Sequence, residues 1–397
     1  MTDNSTADCF ISTGEASGDA VGAGIVAGIR SLRPDAVIEG MGASRMRDAG
    51  VRLWADSTGW AAIGIVQAIP MIPKMLALQR RLKAHLAAHP PRVLVLVDFG
   101  AFNVRLGRWA KEQGIPTVYA MPPASWRKQV NPKRIARLVQ AADLFLSPFA
   151  WNVDNLRAAG ARAEHIGHPV LDLAAPTEHA AVLERALHPV DGRLIALLPG
   201  SRRHEVEALA PTLIAAAIDW PYPADRFVMV QAPSFTDAEF RKVVRRSLPE
   251  AWRPETSDGD CRFTIVSGCT ADVFHICDLA VACSGTATLE AAAALKPFVV
   301  VYNGPWLMRL EWRLRRRGVN APMIAMPNIM AGRMVVKELI AEAATPSNIV
   351  SALRELADDR ANRQATVESL EKIRNDLRPE GALMNAARGI VQFAQLV

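Results

Sequence analysis

Two turns in the second half of the chain are composed to hold a phosphate. Pro199-Gly200-Ser201-Arg202 and Ser284-Gly285-Thr286 each follow a short apolar run, and the second opens a helical stretch over 287–295. Backbone N–H groups at a helix start, with small residues that admit a close approach, make an anion site. Arg202 adds a permanent cation whose forked donors match phosphate oxygens. Glu290, one turn into the helix, is placed to accept bonds from ribose hydroxyls. Either turn alone reads as an ordinary strand-to-helix connection. The pair, with Arg202 and Glu290, points to a nucleoside diphosphate.

In the first half, Asp98 closes the apolar run 93–97 and precedes Phe99-Gly100-Ala101-Phe102-Asn103. A carboxylate at the carboxyl end of a parallel strand can take a proton from an attacking hydroxyl. The same position suits an Asp that caps the next helix, and position alone does not separate the two. Gly14-Glu15-Ala16-Ser17-Gly18-Asp19 is an acidic turn where backbone can come near a substrate. Gly22, Gly24 and Gly28 imitate a dinucleotide fingerprint, but they begin inside the helix, where close packing accounts for them; this argues against an oxidoreductase. Asp258-Gly259-Asp260 lies in a polar turn that turn chemistry explains, so neither a metal nor another cofactor is expected. His168, in Ile166-Gly167-His168-Pro169, reads as a structural or hinge residue at least as readily as a catalytic one.

These residues need a scaffold of strands and helices. Apolar runs at 9–13, 93–97, 117–120 and 144–146 alternate with helical stretches, and a second series follows at 194–198, 227–230, 263–266, 279–283 and 298–302. That alternation predicts an α/β protein with parallel sheets. The linker-like composition of 173–192 separates two units, and an amphipathic helix pattern closes the chain from about residue 382. Two such units would place a ligand in a cleft between them, at the carboxyl ends of strands.

The totals agree with a two-domain globular protein: 397 residues, 50% hydrophobic and 22% charged. A net charge of +6 suits anionic lipid or phosphate, and nucleic acid on charge alone. Five scattered cysteines without a C-x-x-C pair suit a reducing compartment. The first ten residues lack the pattern of a signal peptide, and no apolar run has the length of a bilayer span; a cytoplasmic protein with room for peripheral membrane binding is expected. Ile69, Met71, Ile72, Met75 and Leu76 are interleaved with Lys74, Arg80, Arg81 and Lys83. In 306–317, Trp306, Leu307, Leu310 and Leu314 stand beside Arg309, Arg313 and Arg316. Both patterns suit a headgroup boundary with anionic lipid, although for any single helix a core-facing stripe with a solvated charged side is the commoner explanation. No base-stacking or groove-reading motif accompanies them, so nucleic acid is not expected.

Taken in order, the motifs resemble the lipid-A-disaccharide synthase family over almost the whole chain. The matching pieces are Gly14–Asp19, Gly64-Ile65-Val66, Asp98 with Phe102-Asn103, Ile166-Gly167-His168, Leu197 to Arg202 with Glu205-Val206, Ser284 to Ala287 with Leu289-Glu290, and Pro327-Asn328 through Ala331-Gly332-Arg333 to Val336-Lys337-Glu338-Leu339. The resemblance implies a GT-B architecture of two Rossmann-like domains: 1–170 facing acceptor and membrane, 171–375 holding the UDP-sugar, and a helix over 376–397 crossing back to the first domain. It implies an inverting, metal-independent transfer from UDP-2,3-diacylglucosamine to 2,3-diacylglucosamine 1-phosphate, with Asp98 as general base. Gly14, Glu15, Ser17, Gly18, Asp19, Asn103, Gly200, Ser201, Arg202, Ser284, Gly285, Thr286, Glu290 and Asn328 would then contact substrate or UDP. Ile69, Met71, Ile72, Met75, Trp306, Leu307, Arg309, Leu310 and Arg313 would contact membrane or acyl chains on the inner face of the inner membrane. The oligomeric state is open, a homodimer included.

Four loops depart from the family pattern. A second Asp is replaced by Ala101, a Trp/Arg segment is shortened to Met121-Pro122-Pro123-Ala124-Ser125-Trp126-Arg127, a Glu is replaced by Ala150, and an Arg by Asn303. Two alternatives therefore stand beside the main reading: a UDP-sugar transferase with a different lipid or glycan acceptor, and a UDP-sugar-binding paralogue without turnover.

Overall fold

A computed structural model describes residues 7–58, 60, 72–189, 191–231, 235–249, 252, 262–303 and 323–395. The chain divides into two compact units, Met1–Asp172 with Leu377–Val397, and Leu173–Asp376.

The first unit is a seven-stranded parallel sheet built from Cys9–Ser12 (β1), Ile38–Gly42 (β2), Arg52–Asp56 (β3), Val93–Val97 (β4), Thr117–Ala120 (β5), Leu144–Ser147 (β6) and Ala163–His165 (β7), in the order β3-β2-β1-β4-β5-β6-β7. Strand β4 shows why an unbroken apolar run makes a central strand. Val93, Val95 and Val97 join one core cluster with Ile11 and Ile25, while Leu94 and Leu96 join another with Phe10 and Leu106. Both faces are covered, so no polar alternation is needed.

The second unit is a six-stranded parallel sheet of Leu194–Leu198 (β8), Arg226–Val230 (β9), Phe263–Val266 (β10), Leu279–Cys283 (β11), Phe298–Tyr302 (β12) and Glu338–Ile340 (β13), ordered β10-β9-β8-β11-β12-β13. Ile195 and Leu197 pack there with Leu209 and Leu213 of the helix Arg203–Ile218. In each sheet the order of strand addition reverses once, between β1 and β4 and between β8 and β11. Loops leaving the carboxyl ends of such strand pairs diverge, which opens a crevice for ligand.

The helix Ala382–Phe393 packs along Ala16–Leu32 within the first unit. A Cβ at Gly24 would stand 2.5 Å from Leu383 Cδ1, and one at Gly28 would stand 2.7 Å from Ala387 Cβ. The glycine spacing in the first helix is therefore a helix-packing device. The stretch read as linker instead carries the helix Ala180–Leu187, preceded by Thr177, whose N–H and hydroxyl both donate to Asp272 at 2.6 and 2.9 Å. Among the described residues no helix is long and apolar enough to cross a membrane.

Candidate active site

In the first unit the loops after β1 and β4 meet at the reversal point. Asp98 and Phe99 both adopt left-handed backbone, with φ of 45° and 49°, a conformation that costs about 1–2 kcal/mol for a residue with a side chain. The surroundings hold it there. The Asp98 carbonyl accepts from the Tyr119 hydroxyl at 2.8 Å and from Asn103 Nδ2 at 3.0 Å. The Phe99 ring covers Gly14 so closely that a Cβ at position 14 would lie 2.3 Å from it. Asp98 is exposed at its surface, yet most of what surrounds it is protein. That partial loss of water, then the negative charge of Glu15, push its carboxyl up to about 6, against a hydrogen bond from the Phe99 N–H that works the other way. It is thus a carboxylate at neutral pH and basic enough to accept a proton. Glu15 is half-buried, and Ser17 is exposed at the start of the first helix with Gly18 buried behind it.

In the second unit the turns after β8 and β11 stand at the other reversal point. Gly200 has φ 115°, and a Cβ on it would lie 2.6 Å from Glu205 Oε2. Glu205 is 2% exposed and turns back under the loop. Its Oε2 accepts from the N–H groups of Ser201 and Arg202 at 3.1 and 3.2 Å, and its Oε1 accepts from Arg202 Nη1 at 3.1 Å. The Ser201 and Arg202 backbone donors expected to face a phosphate are therefore taken by a side chain from the first turn of the following helix. The Arg202 guanidinium stays available to an anion, since its buried Nε finds no acceptor among the described residues. Gly285 and Thr286 are exposed at the N-terminus of the helix Thr286–Ala293, and Glu290 lies half-buried one turn further on. The Ser284 hydroxyl donates to the Ile324 carbonyl at 3.2 Å, which ties this turn to the segment before β13. Cys283, next to Gly200, is buried, which pushes its thiol well above the usual range and leaves it inert as a nucleophile.

Three residues expected at the ligand have another task. Asp19 is 2% exposed and accepts from the N–H groups of Ala43, Arg45 and Met46 at 2.6–3.3 Å, holding the start of the helix Ser44–Asp48. Asn103, fully buried, joins the ends of β1 and β4: its Oδ1 accepts from the Ser12 hydroxyl at 2.7 Å, and its Nδ2 donates to the carbonyls of Ser12, Val97 and Asp98. Asn328, also fully buried, accepts from the N–H groups of Val335 and Val336 and donates to Glu338 at 2.7 Å. Small polar residues beside glycine turns suggest ligand contact, but here backbone groups that lost their ladder partners claim them. His168 is neutral: burial pushes it down to about 3, and its Nδ1 accepts from the Val170 N–H at 3.1 Å. Among the described residues no three His, Cys, Asp or Glu side chains group as metal ligands; Asp258 and Asp260 lie outside those residues.

The model of the family described as lipid-A-disaccharide synthetase matches residues 9–389. A lipid-A-disaccharide synthase of Thiobacillus denitrificans is 33% identical over 385 residues, covering 96% of this chain and 98% of that protein. The chain belongs to the lipid-A-disaccharide synthetase family. Among solved structures, the S. aureus MnaA–UDP co-structure aligns with a TM-score of 0.62 at 14% identity, covering 98% of each chain. The glycotransferase of kitacinnamycin aligns at 0.60 and 15%, covering 97% of this chain and 98% of that one. These likenesses establish the α/β fold with two parallel sheets that the synthetase family shares with GT-B glycosyltransferases and epimerases.

Of the residues expected from the sequence at a membrane or acyl chains, Ile72 is 49% exposed on the helix Ile72–Ala88, as is its neighbour Leu76 at 40%, whereas Met75 is half-buried against the core. Ile69, Met71, Trp306, Leu307, Arg309, Leu310 and Arg313 lie outside the described residues. Sequence reasoning missed Tyr119 altogether, and it named Glu205 and Glu338 only as parts of family motifs, without the contacts they make here. Glu205 had a legible signal, a Glu three residues after the turn, at the capping-box spacing.

Proposed function

We propose that this chain transfers 2,3-diacylglucosamine from UDP-2,3-diacylglucosamine to the 6-hydroxyl of 2,3-diacylglucosamine 1-phosphate, releasing UDP and the β-1,6 disaccharide 1-phosphate. The observation that carries the reading, beside family membership, is the pairing of chemistry with topology. A carboxylate raised toward a base's working range leaves β4 of the first unit, and Arg202 with the 285–286 helix start stands at the reversal point of the second.

As the acceptor O6 bonds to the donor C1, its proton passes to the Asp98 carboxylate. The C1–O bond breaks on the opposite face, and its electron pair leaves on the UDP β-phosphate, so one displacement inverts the anomeric centre. Arg202 and the helix N-terminus meet that growing negative charge, the place where electrostatic stabilisation acts on a transition state. In this reading they do so without a metal ion. Glu290 serves the ribose. The exposed Ile72 and Leu76 rest on the cytoplasmic face of the inner membrane, where both acylated substrates reside.

Two of the departures from the family pattern, Ala101 and the shortened segment 121–127, lie in the first unit near the proposed base. Pro123 of the shortened segment packs on Gly100, 2.9 Å from where a Cβ would stand, and the Trp151 indole N–H holds that segment through the Ser125 carbonyl at 3.1 Å. This placement favours, as second reading, the same chemistry on a different lipid or glycan acceptor. Purified protein in detergent, given both acylated sugars with chelator present, should yield UDP and the disaccharide by mass spectrometry. No disaccharide, with UDP still bound and other acceptors turned over, would transfer the assignment to the second reading.

A further inference from the structure

We infer that Tyr119 and Asn103 are positioning residues for the base, two donors on one carbonyl that fix the backbone from which the Asp98 carboxylate projects. The inference rests on Asp98 being the base and adds what orients it.

Consecutive left-handed residues at 98 and 99 have no intrinsic reason to persist, since neither is glycine. Such a turn survives when its neighbours over-determine it. Here the Asp98 carbonyl receives the Tyr119 hydroxyl at 2.8 Å and Asn103 Nδ2 at 3.0 Å. The donors come from different elements. Tyr119 belongs to β5, where its neighbour in β4 is Leu96, and Asn103 to the first turn of the helix Gly100–Glu112. Both side chains are fully buried. Asn103 is itself fixed by the Ser12 hydroxyl and by carbonyls at the ends of β1 and β4. The Phe99 ring, laid over Gly14 and 5.1 Å from the Phe102 ring, blocks rotation from the other side. With its carbonyl held on two sides and the next side chain wedged, residue 98 has little freedom left except at its own side chain. A carboxylate mounted on a backbone so held has only its own side-chain torsions to settle before it meets an acceptor hydroxyl, and a displacement of about 1 Å at such a group can cost on the order of a hundredfold in rate.

Tyr119→Phe removes one donor while Asn103 keeps the carbonyl satisfied, so the fold is retained. The expected result is a kcat lowered by about tenfold or more, with the KM of both substrates and the UDP Kd within about twofold of the parent. Placed in an Asp98→Asn background, the same change should add nothing further, because there is no base left to position. A parent-like kcat in Tyr119→Phe, with Asp98→Asn inactive, would overturn the clamp and leave the base in place. An equal loss in both backgrounds would also overturn it, showing general damage. Full activity in Asp98→Asn would remove the base and the clamp together.

Discussion

Glu205 holds Arg202 twice, taking its backbone N–H at 3.2 Å and its guanidinium Nη1 at 3.1 Å. The carboxylate is buried and the guanidinium side chain is 31% exposed. One oxygen thus closes the turn while the other aims the cation, and the two residues separate in their effects. Arg202→Ala should weaken UDP binding about tenfold or more, since a charge-assisted contact of this kind is worth about 1.5–3 kcal/mol. Glu205→Ala leaves two backbone donors without their acceptor, so it should cost about 2–3 kcal/mol of stability. Calorimetric titration with UDP checks the first and thermal melting the second. Unchanged UDP affinity in Arg202→Ala would remove that residue from the diphosphate site.

A base raised to about 6 leaves a mark on the pH profile. Below that pH Asp98 is protonated and cannot accept a proton, so kcat/KM should fall on the acidic side with an apparent pKa of about 6. Loss of water is the larger cause of the elevation and Glu15 the second. Glu15→Gln should therefore move the acidic limb down only part of the way toward the ordinary carboxylate range. Asp98→Asn should lower the rate about a hundredfold or more while UDP affinity stays near the parent value. An acidic limb that ignores Glu15→Gln would show that another group titrates there.

How far the sequence discloses such a site depends on what each residue faces. Strands β4, β8 and β11 are legible because both faces are buried, so their runs are purely apolar. Strand β2 is hidden by Gly40 and Gly42, and β3, an edge strand, by its exposed Arg52 and Asp56. Among site residues, the loops holding Asp98, Arg202 and Ser284 are legible as strand ends. Side-chain direction is not. Asp19, Asn103 and Asn328 sit in the same kind of turn as the exposed Ser17, yet point inward to backbone groups that sequence spacing cannot show. Tyr119 reads as one more strand residue until β5 is laid beside β4, where its hydroxyl reaches the turn at 98.

The neutral His168 makes stability depend on pH with a definite sign. Its folded value of about 3 lies below the ordinary value near 6.5, so between them the unfolded chain binds more protons. The contribution is complete above about pH 6.5 and declines as pH falls toward 3. Asp98, elevated on folding, acts in the opposite sense between about 4 and 6, so the test is a comparison of variants rather than the parent curve alone. His168→Asn, which retains an acceptor for the Val170 N–H, should lose about 1–2 kcal/mol less than the parent between about pH 7.5 and 5. Chemical denaturation at the two pH values decides it, and parallel losses would show that His168 ionises freely in the folded protein.

The helix Ile72–Ala88 carries the last test, of where the enzyme works. Ile72 and Leu76, one turn apart, are exposed, as are Lys74, Arg80 and Arg81, and the helix contains no acidic residue. Apolar side chains that enter the headgroup boundary gain up to about 1.5–3 kcal/mol each on full burial, and neighbouring cations add an attraction to anionic lipid that salt screens. Ile72→Ser with Leu76→Ser should therefore reduce flotation with anionic vesicles at any salt. Lys74→Glu with Arg80→Glu and Arg81→Glu should reduce it chiefly at low salt. Turnover of substrates dissolved in detergent should change little in either variant, because neither touches Asp98 or Arg202. If flotation is unaffected by both sets, this helix does not face the membrane, and Arg309→Glu with Arg313→Glu and Arg316→Glu then tests the other basic segment.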